Sequence, residues 1–346
     1  MRLIATTVVR ESIVGRQRTG YVYDVDWEAR GVRRRFPIPE PRYPQTDLNP
    51  RGGVRGGRGV VVTRHGIVVA NYDTLLRYDD DWNLLEDFSH PLFVGMHEID
   101  WDGGHLWTTS TAIDAVLKVK LDGEVEVAWD PHAPTFASRL GLRKRPHVVD
   151  GSVDYRIGDQ PLLDRCHINS VSHFDGSMIV NCGLLSKPKP RSVRLLERAR
   201  AHAQQATRRP EHAKEARPRS GRGLVLRLDG RGTVDVLLEL PSVEFPTHNG
   251  QLLDDARVAL NDSTKNTLRI FRARDAMQLQ SIEVPGVWLR GLQPVDASRL
   301  FVGSAPASIV LVDLERNRIV DRVQLSEDPN EAVHGLTICP PEDQRR

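Results

Sequence analysis

The feature that most constrains this chain is internal repetition. A module of four short runs of alternating apolar and polar residues, separated by Gly and Asp turns, returns along most of its length. Residues 92–130 show it most plainly. His97-Glu98-Ile99-Asp100-Trp101 passes through Asp102-Gly103-Gly104 into His105-Leu106-Trp107-Thr108-Thr109, then Ala115-Val116-Leu117-Lys118-Val119 and Val125-Glu126-Val127-Ala128-Trp129. Alternation bounded by such turns marks an antiparallel meander, and helical spacing is absent. Similar modules begin near Arg58, near His167 (where the third run resumes only at Leu224), near His248 and near Arg290.

A sixth module is split. The run over 335–339 has no followers, and the chain starts with three runs that lack a leader, near 3–9, 21–26 and 32–36. Joining them closes a ring. The expectation is therefore an all-β fold: one six-bladed β-propeller over residues 1–346, its sixth blade made of the C-terminal inner strand and the N-terminal outer strands, with no long edge exposed. By length alone 346 residues allow two average domains, but repeat-built β folds run long as one.

Two segments stand outside the meander. Residues 131–164, rich in Pro, Gly and Arg, read as a lid or extended loop. Residues 187–222 hold twelve Lys and Arg against three Glu, although the whole chain is only +2. Their middle, 193–206, has helix-forming composition and their flanks read as flexible linker. Such a segment is a solvated insertion, and nucleic acid, an anionic membrane or an acidic partner are what its charge suits.

Other classes are excluded. No apolar run approaches the roughly 20 residues of a membrane span. The first nine residues are too short and mixed for a signal-peptide core, so a cytoplasmic address is expected. Cys166, Cys182 and Cys339 form no C-x-x-C pair, which argues against a disulfide framework or thiolate zinc site and predicts three buried small residues. The glycine-rich 52–57 lacks a following Gly-Lys-Ser/Thr and reads as a lead-in to the first blade, not a phosphate loop.

Aligning the modules by their first runs puts a polar residue at the same step in each: Arg58, His97, His167, His248, Arg290 and His334. Inner-strand starts converge on one end of a propeller's channel, so these six form a candidate site. A single histidine at a strand start is more often a hydrogen-bonded structural residue, but four in register call for a common explanation. His65, His90, His105, His132, His147, His173, His202 and His212 fall in turns, loops or the insertion and are assigned no role.

Several neutral imidazoles aimed at one axis can hold Fe, Mn, Zn or Cu, which makes His97, His167, His248 and His334 candidate ligands of a divalent transition metal. The arrangement resembles the all-histidine iron centre of carotenoid-cleaving oxygenases, in geometry only. Arg58 and Arg290 repel a bare dication, since guanidinium stays charged, and suit a small anionic substrate carrying carboxylate, sulfate or phosphate. The expected function is thus enzymatic: a polyhistidine site, with or without metal, acting on a small anion. Without metal, a histidine serves as nucleophile or acid/base and no cofactor is needed. Asn169, two residues after His167, projects on the same strand face and joins His248 as a candidate catalytic residue. Asn71, Thr109, Asn181, Asn261 and Asp262, at second-run ends, either reach the mouth or form turns.

Asp164-Arg165-Cys166-His167-Ile168-Asn169, Pro246-Thr247-His248 with Leu260-Asn261-Asp262-Ser263, and Gly286-Val287-Trp288-Leu289-Arg290-Gly291-Leu292 with Phe301-Val302-Gly303 resemble an uncharacterised family of bacterial propeller proteins. That resemblance implies the fold and no activity. His167-Ile168-Asn169-Ser170 is also similar to the His-x-Asn-Ser strand of arylsulfate sulfotransferases, six-bladed propellers that pass a sulfuryl group through a pore histidine. It implies metal-free group transfer with His248 as nucleophile, although Asn181-Cys182-Gly183 stands where that family carries an arginine. A third reading is a non-enzymatic scaffold that binds a partner through its faces and the basic insertion.

Overall fold

A computed structural model describes residues 1–10, 19–46, 56–142, 149–157, 164–186, 221–229 and 233–341. The chain forms six four-stranded antiparallel sheets arranged as the blades of a propeller. Blades 1 to 5 occupy residues 60–88, 96–129, 168–243, 248–283 and 287–324 in order. Blade 6 joins Glu331–Cys339 to Arg2–Val9, Tyr21–Asp26 and Gly31–Pro37, so the ring closes as expected. Eight residue pairs, from Arg2 opposite Cys339 to Val9 opposite Glu331, fasten the two ends.

Strand alternation explains where the core lies. Each sheet has two faces, and except on the outermost strands both are covered by neighbouring blades. Accordingly Ile4, Val22, Val60, Val69 and Tyr78 pack between blades 6 and 1, while Val68, Leu75, Met96, Ile99 and Leu117 pack between blades 1 and 2. Equivalent clusters fill the remaining four interfaces, so the apolar core is a ring of interblade wedges and not one central mass. Outer strands such as Val125–Trp129 alternate between exposed and covered positions, the half-buried pattern of a sheet edge.

Part of the loop between blades 2 and 3 is packed against them. It contains the short helix Pro134–Ala137, and Phe136 and Leu140 join the wedge between those blades. Farther on, Arg156 bonds Asp154 and the Ser89 hydroxyl, tying 149–157 to blade 1. Residues 187–220, with the expected helix, lie outside the described residues, as do 52–55. Gly221 and Arg222 belong to blade 3, paired with Ser186 and Leu185. All three cysteines are buried.

The inner strands share one irregularity that bears on function. In five blades their pairing slips at the same end: between Met96 and Ile99, Ile168 and Ser170, His248 and Gln251, Val287 and Arg290, and opposite Thr6/Thr7 beside His334. A bulge turns consecutive side chains toward one side and re-aims them. His167, Asn249 and Trp288 take φ of 46°, 54° and 60° there, left-handed values that cost a non-glycine residue roughly 1 kcal/mol or more.

Candidate site at the channel mouth

The bulged ends bring the six aligned residues together. Ring centroids of His97 and His167 lie 5.3 Å apart, those of His97 and His334 5.5 Å, and those of His167 and His248 5.9 Å. The Arg58 guanidinium, only 2% exposed, meets His334 through Nη1 and Nε2 at 3.2 Å. Arg290 donates to the Leu289 carbonyl at 2.9 Å and to the Ser263 hydroxyl oxygen.

Hydrogen-bond partners fix which ring nitrogen carries the proton. His97 Nδ1 faces the Gly95 carbonyl at 3.0 Å, an acceptor only, so that nitrogen is the donor. His167 Nδ1 faces the Asp164 carboxylate at 3.0 and 3.2 Å and donates as well. Ser263 gives its proton to the Leu289 carbonyl at 2.7 Å, which leaves its oxygen to accept from His248 Nδ1 at 3.4 Å. These three imidazoles therefore carry their lone pairs on Nε2. His334 differs. Arg58 has donors alone, so His334 Nε2 accepts from it and that lone pair is spent.

Burial opposes charging of two of the rings, His97 and His248. His97 lies well below the ordinary histidine value, first because it is desolvated and then because Arg58, His167 and His334 oppose a further positive charge. His248 is depressed likewise, with Arg290 the largest charge acting on it. Neutral rings with open Nε2 atoms can act as bases or nucleophiles.

Sequence reasoning missed Glu98. Strict alternation places it opposite His97, but the bulge between Met96 and Ile99 brings it to the mouth, where Asn249 donates to it at 3.0 Å and His334 Nδ1 lies 3.7 Å away. Desolvation pushes its carboxyl up to about 8, against the Asn249 bond and the pull of Arg58 and Arg290. Asn249, Ser263 and Asp164 were missed with it. The available signal was a charged residue directly after the aligned histidine, at a position that strict alternation turns away from it.

Other expected contributors have structural duties. Asn169, 1% exposed, donates to the Thr247 carbonyl at 2.6 Å and accepts from Asn181, fixing the residue before His248. Asn181 also donates to Thr247 O, and Asn261 to Gly291 O, so both tie one blade to the next. The Thr109 hydroxyl accepts from the His97 amide. Asn71 accepts from the Asp73 and Thr74 amides and Asp262 from those of Thr264 and Lys265, as turn formers.

As to metal, His97, His167 and His248 have the open Nε2 atoms, while His334 would have to release Arg58 to ligate. Among the described residues the group of three potential ligand atoms within 4.8 Å of one another is Asp114, His132 and Cys166, not the channel imidazoles. A tetrahedral site with metal–nitrogen bonds of about 2.0 Å brings its nitrogens to roughly 3.3 Å apart. In the Asp114 group the carboxylate accepts from His132 Nε2 at 2.9 Å and from the Arg165 and Cys166 amides at 2.9 and 3.0 Å, a set of hydrogen bonds that accounts for it without an ion. His132, given no role from sequence, is thus one arm of a buried latch.

Fold and site together define a six-bladed β-propeller with a cluster of histidine, arginine and glutamate at one channel mouth. No family model matches the chain, and no curated protein does. Among solved structures it is similar to one from the nidogen/laminin complex, at TM-score 0.56 and 7% identity over 97% of both chains. It is also similar to a protein of unknown function from Bacteroides caccae, at TM-score 0.51 and 11% identity over 96% of this chain and 97% of that one. At such identities the likeness is one of fold. No helix among the described residues is long and apolar enough to cross a membrane.

Proposed function

We propose that the channel mouth is an active site that binds a small anionic substrate and acts on it with neutral imidazoles, without a metal. One observation carries this reading: Arg58 and Arg290 flank three histidines whose Nε2 lone pairs are open, and burial suppresses the charging of two of them, His97 and His248. Guanidinium groups in a water-poor mouth favour carboxylate, sulfate or phosphate. His248, beside Arg290, is the base or nucleophile, His97 and His167 support it, and Glu98 is the group that can return a proton. Asn169 acts by positioning. Sulfuryl transfer is one chemistry this arrangement suits.

Inorganic sulfate and phosphate are the probes. Each should stabilise the wild-type protein beyond sodium chloride of equal ionic strength, and Arg58→Met and Arg290→Met should each weaken that binding about tenfold or more, the worth of one charge-assisted contact. Unchanged affinity in a folded double variant would sink the proposal. A cobalt titration that yields a stoichiometric d–d spectrum, lost in His248→Ala, would replace it with the metal-bound reading.

A further inference from the structure

The short turn Thr111–Ile113 of blade 2, with Asp114 after it, touches the His97 imidazole and the backbone on either side of His167. The Thr111 hydroxyl, 3% exposed, lies 2.9 Å from His97 Nδ1. It donates its one proton to the Ile168 carbonyl, next to His167, so its oxygen accepts from His97. Three residues on, Asp114 is fully buried with φ 50° and grips the Arg165 and Cys166 amides.

The segment bearing His167 is thereby held from both sides. Its amides hang from Asp114, which is steadied by His132. Its carbonyls at Cys166 and His167 accept from Leu184 and Gly183 at 3.3 and 3.1 Å. With these four contacts His167 adopts its left-handed φ of 46° and presents Nδ1 to Asp164.

We propose that Thr111 and Asp114 are positioning residues that couple His97 to His167, so that the two imidazoles hold one joint arrangement and move as a pair. The inference rests on the reading of these rings as working groups, but its test does not require a substrate. Coupling of this kind needs a measurement and not only proximity.

In the full-length protein with 15N-labelled histidine, Thr111→Val should shift the ring signals of both His97 and His167, and Thr111→Ser should restore both. Asp114→Asn should likewise move both. If that variant does not fold, the threonine pair carries the test, because valine keeps the volume of threonine and loses only the hydroxyl. A folded Thr111→Val protein in which His97 alone shifts, or neither ring does, overturns the proposal. Phosphate titration of the wild-type protein separates the two ideas: coupled shifts without phosphate binding leave the pairing standing and remove the proposed function, whereas phosphate binding without coupled shifts does the reverse.

Discussion

Between pH 6.5 and 8 the wild-type protein is expected to lose about 1.4 kcal/mol of stability per pH unit through Glu98, and the Glu98→Gln variant to lose none of it. Glu98 titrates near 4.5 when unfolded and near 8 when folded, so across that interval the folded state holds one proton more and each rise in pH costs stability. His97 and His248 act in the opposite direction. Their folded values lie well below the unfolded 6.5, so their contribution is complete above 6.5 and is lost as pH falls. By about pH 5.5 the unfolded chain binds nearly two protons at these histidines while the folded chain holds one at Glu98, so the net slope on acidification approaches about 1.4 kcal/mol per unit.

The three groups together give a stability maximum near pH 6.5. Removing the Glu98 proton abolishes the alkaline limb and doubles the acid one to about 2.7 kcal/mol per unit. Urea melts at half-unit intervals for both proteins read these slopes directly. Parallel profiles would show that Glu98 is not the desolvated acid described here, whatever Arg58, Arg290, Asn249 and His334 do around it.

The second large effect is expected at Gly335, beside His334 on the closing strand. A Cβ there would sit 2.2 Å from the Arg58 carbonyl oxygen and 2.6 Å from Thr6 Oγ1, where the strands of blade 6 meet the start of blade 1. Thr6 already bonds that carbonyl and accepts from the Gly335 amide at 3.0 Å, so a methyl group enters a place held on three sides. The nearest obstacle is backbone and cannot turn aside. Gly335→Ala should destabilise by roughly 3 kcal/mol, the upper range for overpacking, and should separate Arg58 from His334. Denaturant unfolding gives the first quantity, and the phosphate response gives the second. A loss under about 1 kcal/mol would mean that the blades yield at their junction.

Most of the architecture was legible because a propeller repeats its pattern. Four runs with Gly and Asp turns recurred often enough to align, and the leaderless runs at 3–9, 21–26 and 32–36 required a partner that the 335–339 run supplied. The alignment also found the six ring positions, since inner strands begin in register. What it missed follows from the bulges. Period-two reasoning assigns neighbours to opposite faces and so gives Glu98 and Asn249 no place beside His97 and His248, and one inserted residue per strand reverses that assignment. His132 was passed over for a different reason: its partner Asp114 lies 18 residues earlier, inside blade 2, while His132 stands in the loop after that blade, and no local pattern links them. The second-strand asparagines had two readings from sequence: Asn181 and Asn261 tie neighbouring blades through their carbonyls, and Asn71 forms a turn.

Fastening the ring with both chain ends also fixes an order of events during synthesis. Arg58 and His334 stand 276 residues apart yet touch. A growing chain can complete blades 1 to 5 while the N-terminal strands wait without their inner neighbour, and the mouth gains its last histidine only when the final strand leaves the ribosome. A chain cut before Glu331 would carry three of the four imidazoles and lack the ring that meets Arg58, so the site depends on the strand that closes the propeller.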